Sequence, residues 1–144
     1  MALGRLLPQT ELLVITTPQP SAQKVATRVA DMAKRSFIPL LGVVENMSYF
    51  ETSDKNKYQI FGKGGGDKLA EKFGIPLLSK VPISETSVEE SENGIPILLQ
   101  ENESPTKNAL QDLVTKITKV LPPVSDETCT GRLAKVLEEL EADQ

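Results

Sequence analysis

The chain has 144 residues, 39% of them hydrophobic and 25% charged, and a formal net charge of −4. That length suits one domain able to remove roughly two thirds of its unfolded surface from water, and the acidic balance gives no basic field to attract nucleic acid or an anionic membrane. Cys129 is the only cysteine and histidine is absent, which excludes an internal disulfide, a Cys/His zinc site and any histidine-based triad or general base within one chain.

In chain order, "ELLVITT" (11–17) is a short β-branched run ended by "PQPS", the pattern of a strand buried on both faces. Ser21 is placed to cap a helix over 21–36, in which Val25, Val29 and Met32 recur at helical spacing and Ala22, Ala26, Ala30 and Ala33 allow close approach. "IPLLGVVENM" (38–47) is a second apolar run, so strand, helix and strand form a βαβ unit with a right-handed crossover. After the polar interval 48–59, "GDKLAEKFG" predicts a short helix closed by Gly74, and "IPLLSKVPI" (75–83) a third strand. This alternation is that of an α/β protein. The acidic run with Glu85, Glu89, Glu90 and Glu92 reads as a solvated face, and "IPILL" (95–99) as a brief extended segment. Thr106 is placed to cap a helix whose stripe is Leu110, Leu113, Val114, Ile117 and Val120/Leu121, stopped by Pro122-Pro123. The tail places Leu133, Val136, Leu137 and Leu140 at helical spacing. The boundaries expected are therefore 1–121 for the domain and 122–144 for a linker with an amphipathic tail helix.

"FGKGGGDK" (61–68) invites a phosphate-loop reading that its residues do not sustain. A GxxxxGK[ST] loop needs converging backbone amides, a lysine for the outer phosphates and a hydroxyl for magnesium. Here Lys68 follows Asp67 and precedes Leu69, so the hydroxyl is missing and Asp67 would repel a phosphate. The GxGxxG pattern fails at the same aspartate. The stretch reads instead as a glycine hinge into a helix whose dipole Asp67 complements. Glu45 and Asn46 end the second strand at the carboxyl edge of a parallel sheet, where such sheets bind ligands. The Asn46 amide suits the edge of a purine base, but on sequence spacing alone closing a turn is the better reading. Thr16 and Thr17 read as strand-end punctuation and Cys129 as an incidental thiol. No segment has the pattern of a signal peptide, and no apolar run reaches the roughly 20 residues that span a bilayer, so a cytoplasmic protein is expected.

Together "LLVITTPQPSAQKVATRVADMAKRS", "PLLGVVENMSYF", "IFGKGGGDKLAEKFGIPLLSKVPI" and "GIPILL" resemble the second half of the Mrp/ApbC-type iron–sulfur cluster carriers, P-loop ATPases related to MinD and ParA. The resemblance runs from about residue 2 to residue 120. It implies a partial doubly wound parallel sheet of the P-loop NTPase type, lacking the N-terminal P-loop half. It also implies that Asn46 contacts adenine and that Val81, Pro82 and Ile83 border the base through backbone groups. ATP and magnesium are the cofactors of the family.

Two departures shape the expectation. The deviant Walker A loop, the switch region and the aspartate-bearing strand that precede this region in the family have no counterpart here. Many members also place a Cys-Pro-x-Cys pair where this chain reads "YFETSDKNKYQI", so no cluster is expected on this chain alone. The first strand is then left as an unpaired edge, to be covered by a complementary P-loop half, by self-association or by residues 124–144. The expected function is that of the C-terminal portion of such an ATPase, a split product or fragment inactive alone. A non-catalytic module that pairs with a full-length relative through its open edge is the alternative. A MinD-like positioning role is disfavoured by the acidic tail.

Overall fold

The computed structural model describes residues 10–52, 54–83, 94–100 and 103–121. The acidic run 84–93, Cys129 and the expected tail helix lie outside them. Three parallel strands, β1 (Leu12–Thr16), β2 (Leu40–Glu45) and β5 (Leu77–Lys80), form a sheet in the order β1-β2-β5. A small antiparallel hairpin pairs β3 (Phe50–Glu51) with β4 (Lys57–Tyr58). Three α-helices are described: α1 (Pro20–Arg35), α2 (Gly65–Phe73) and α3 (Pro105–Val120). The chain divides into two compact units after Leu113, and the sheet, α1 and α2 belong to the first.

β2 is the central strand, buried from Leu41 to Glu45, as its uninterrupted apolar run requires. Val14 and Val43 lie side by side in register and meet Ala26 and Ala30 of α1 and Leu69, Ala70 and Phe73 of α2. The alanines do here what their size permits, bringing the α1 backbone close to the sheet. The larger stripe of the same helix is displaced from this core: Val25, Val29 and Met32 are exposed. Helical periodicity finds such a stripe but cannot say which neighbour covers it.

Several local expectations are corrected by capping geometry. α1 begins at Pro20 with Gln19 at the N-cap and no side-chain cap, because proline suits the first helical position, which moves Ser21 inside the helix. In α3 the cap is Ser104, whose Oγ accepts the Lys107 N–H at 3.1 Å; Thr106 instead donates to the Pro82 carbonyl at 3.1 Å. Ile97–Leu99 forms a 3-10 turn where an extended segment was expected. The interval 48–59 contains the β3–β4 hairpin, whose turn is closed by Lys55 N–H donating to Thr52 O at 2.8 Å. The helix closed by Gly74 is as expected: Gly74 takes φ 65°, and Ile75 N–H donates to Ala70 O.

Candidate functional site

The carboxyl ends of β1 and β2 carry the polar residues of interest. Glu45 is 1% exposed, and its carboxylate accepts Ser48 Oγ–H at 2.6 Å and Gly66 N–H at 2.5 Å. It therefore serves as the N-terminal cap of α2 from another strand, a favourable position for a negative charge at the helix dipole. Gly64, at the N-cap of α2, has φ 72° and no side chain to do this. A methyl group at Gly66 would lie 2.8 Å from Glu45 Cβ and 3.0 Å from Leu77 Cδ1, and one at Gly65 would lie 2.8 Å from Pro18 O. The glycine run thus lets α2 close onto β2 and the β1–α1 turn. Its helix N-terminus already holds a carboxylate, and Asp67 beside it pairs with Lys80 at 2.8 Å, so an anionic phosphate has no place there.

Asn46 follows Glu45. Its Oδ1 accepts Met47 N–H at 2.9 Å, which fixes the amide orientation and leaves Nδ2 as a donor with no partner among the described residues. Asn46 N–H itself donates to Thr16 O at 2.8 Å, tying the turn to β1. Val81 donates to Glu45 O at 2.8 Å and accepts from Ser48 N–H at 3.0 Å, while Ile83 N–H donates to Tyr49 O at 2.8 Å. The 46–49 turn and the 81–83 segment are therefore brought together. Val81 N–H, Val81 O, Ile83 N–H and the Pro82 carbonyl are already engaged within the chain, the last by Thr106.

Asn46 lies at one end of a groove of about 390 Å³, lined by Leu13 to Thr17 of β1 and its turn and by Ala22, Val25, Ala26 and Val29 of α1. Leu12 N–H donates to Pro39 O, and Thr16 O accepts from Asn46 N–H. By parallel-strand alternation, Leu13 and Ile15 point their backbone groups away from β2. Nothing among the described residues pairs with them. Ile15 is 63% exposed and Val25 60%, and Thr17 Oγ1, on the groove wall, is buried without a hydrogen-bond partner. Sequence reasoning located Asn46 but missed the buried bracket made by Glu45; the available signal was an acidic residue ending a strand that is otherwise apolar. Among the described residues no cluster of three or more His, Cys, Asp or Glu is placed to hold a metal ion, and no helix is long and apolar enough to cross a membrane.

Residues 1–118 match the ParA family, described as the NUBPL iron-transfer P-loop NTPase. The iron–sulfur cluster carrier protein of Mycobacterium leprae is 37% identical over 116 residues, which cover 76% of this chain and 30% of that protein. The iron–sulfur cluster carrier protein of Pyrococcus horikoshii is 39% identical over 116 residues, covering 80% and 39% respectively. The chain thus spans 30–39% of the length of these curated relatives. Among solved structures, a nucleotide-binding protein from Archaeoglobus fulgidus in complex with ADP is 31% identical with a TM-score of 0.50, over 57% of this chain and 34% of that one. The cell-division ATPase MinD of Pyrococcus furiosus, 24% identical, has a TM-score of 0.59 over 76% of this chain and 43% of its own, and shares the fold.

Proposed function

The chain belongs to the ParA-type family of iron-transfer P-loop NTPases, and on that premise we propose that it supplies the adenine side of a nucleotide site. The observation that carries this reading is the Asn46 amide, its oxygen held by Met47 N–H and its nitrogen a donor without a partner among the described residues at the carboxyl edge of the sheet. Such a donor complements a ring nitrogen of a purine. Val81 and Ile83 border the same place by holding the turn, with their N–H groups spent on it.

The phosphate side has to come from elsewhere. The chain contains no GxxxxGK[ST] loop, and Glu45 fills the glycine-rich N-terminus of α2. ATP with magnesium brings phosphoryl-transfer chemistry when bound; the residues of this chain bind and orient the base. A complementary P-loop half adds its strand to the outward edge of β1 and its apolar side chains to Val25, Val29 and Met32, in line with their exposure. Iron–sulfur cluster is the cargo for which the relatives are named. Since Cys129 is the single thiol and a cluster takes about four ligands, this chain alone does not hold one.

The test is ATP turnover together with calorimetric titration of ATP and ADP, on the purified chain and on Asn46→Ala. The expected result is no turnover and weak or absent binding, because phosphates and magnesium normally provide most of the affinity. Turnover abolished by a substitution within this chain contradicts the reading. The exposed Ile15 and Val25 beside the outward edge of β1, which pairs with no strand among the described residues, also favour a second reading, a non-catalytic module docking on a full-length relative or on itself. A monomer by light scattering that is unaltered by such a relative counts against it.

A further inference from the structure

Met47 has φ 54°, a left-handed conformation that is costly for a residue with a side chain, so the turn bearing Asn46 must be held by its surroundings. Its two ends are held by one group. The Glu45 carboxylate receives Ser48 Oγ–H on one oxygen and Gly66 N–H on the other, while the backbones of Glu45 and Ser48 clasp Val81. A buried carboxylate met by neutral donors is an expensive way to fill space, since an apolar side chain of similar size would pack there without desolvating a charge. What the carboxylate adds is direction: it fixes Ser48 relative to the first turn of α2 and thereby fixes the strained residue between Ser48 and Asn46.

We infer that Glu45 is a positioning residue that holds the 46–48 turn so that Asn46 presents its amide nitrogen at the groove. The functional value of that placement rests on the adenine reading above; the placement itself does not. The contact also makes α2 a brace for the site, so a displacement of Gly66 is transmitted to Asn46 through one side chain.

The test is nuclear magnetic resonance of the 144-residue chain, following the Asn46 side-chain amide, Met47 N–H and Gly66 N–H. Glu45→Ala and Ser48→Ala are expected to shift the Asn46 and Met47 signals. Glu45→Ala should also raise hydrogen exchange at Gly66 by about tenfold or more, as loss of a bond to a charged acceptor implies. Glu45→Gln should return the signals towards wild type, since its amide oxygen can accept Gly66 N–H and its nitrogen can donate to Ser48 Oγ. Gly74→Ala is the control for lost stability alone: it is strained at φ 65°, with nothing within 4 Å of the added methyl. If Glu45→Ala does not fold, Ser48→Ala decides. Asn46 and Met47 signals that move no further in Glu45→Ala and Ser48→Ala than in Gly74→Ala overturn the inference. Unchanged ADP affinity on Asn46→Ala in a chimera that supplies the phosphate side would remove the adenine reading while leaving these shifts in place, so the two failures are distinguishable.

Discussion

Replacing Gly66 with alanine sets two physical effects against each other. Glycine within a helix is worse than alanine by about 1 kcal/mol, so propensity alone forecasts a more stable protein. The added methyl, however, would lie 2.8 Å from Glu45 Cβ, 3.0 Å from Leu77 Cδ1 and 3.1 Å from Glu45 Oε2. Cβ is fixed to the backbone of a central strand, so rotamer changes cannot clear that contact. Overpacking of this kind costs about 1–3 kcal/mol, and pushing the Glu45 carboxylate off Gly66 N–H forfeits part of a charge-assisted bond worth about 1.5–3 kcal/mol. With the propensity gain subtracted, a net loss of about 2–3 kcal/mol is expected. In a chain of this size that lowers the melting temperature by roughly 10 °C. Urea unfolding followed by circular dichroism measures it directly. A Gly66→Ala protein as stable as wild type, or more stable, would refute the argument that the glycine run exists for close approach of α2 to β2.

Other outcomes follow from single contacts. Phe37 is 94% exposed with φ 56° at the position after the α1 C-cap, where Phe37 and Ile38 N–H groups donate to Lys34 O and Ala33 O; Phe37→Gly should therefore stabilise by about 1 kcal/mol in thermal unfolding. Thr106→Val strips the Pro82 carbonyl of its buried hydroxyl donor and should cost about 1–2 kcal/mol by urea titration. Lys80→Ala breaks an ion pair whose side chains are 42% and 52% exposed, so its effect in the same titration should stay below about 0.5 kcal/mol and vanish at high salt.

The strands and helices of the sheet domain were legible because each depends on its own residues. "LLVIT", "LLGVVE" and "LLSK" are apolar runs of strand length, and the helix ended by Gly74 has its stop signal one residue past its end. What was not legible depends on residues distant in sequence. Val25, Val29 and Met32 have the spacing of a core stripe, yet the sheet neighbour is the alanine stripe beside them. Glu45 and Gly66 are 21 residues apart, and no local spacing announces that the carboxylate of one caps the helix of the other. The β3–β4 hairpin is two residues per strand, too short for alternation to register, although the Asp-Lys-Asn segment between aromatic residues is a turn signal. The resemblance singled out Asn46 and 81–83; in the structure residues 45–49 engage Val81 N–H, Val81 O and Ile83 N–H, while the Pro82 carbonyl is taken by Thr106.

The most direct measurement of the central claim is nucleotide affinity in a chimera joining this chain to the part of the Pyrococcus horikoshii carrier outside the matched 116 residues. With Asn46 the chimera is predicted to bind ADP, and with Asn46→Ala to bind it about tenfold more weakly, the loss of roughly one hydrogen bond in a desolvated site. Equal affinities for the two chimeras would contradict the assignment of this chain to the adenine side.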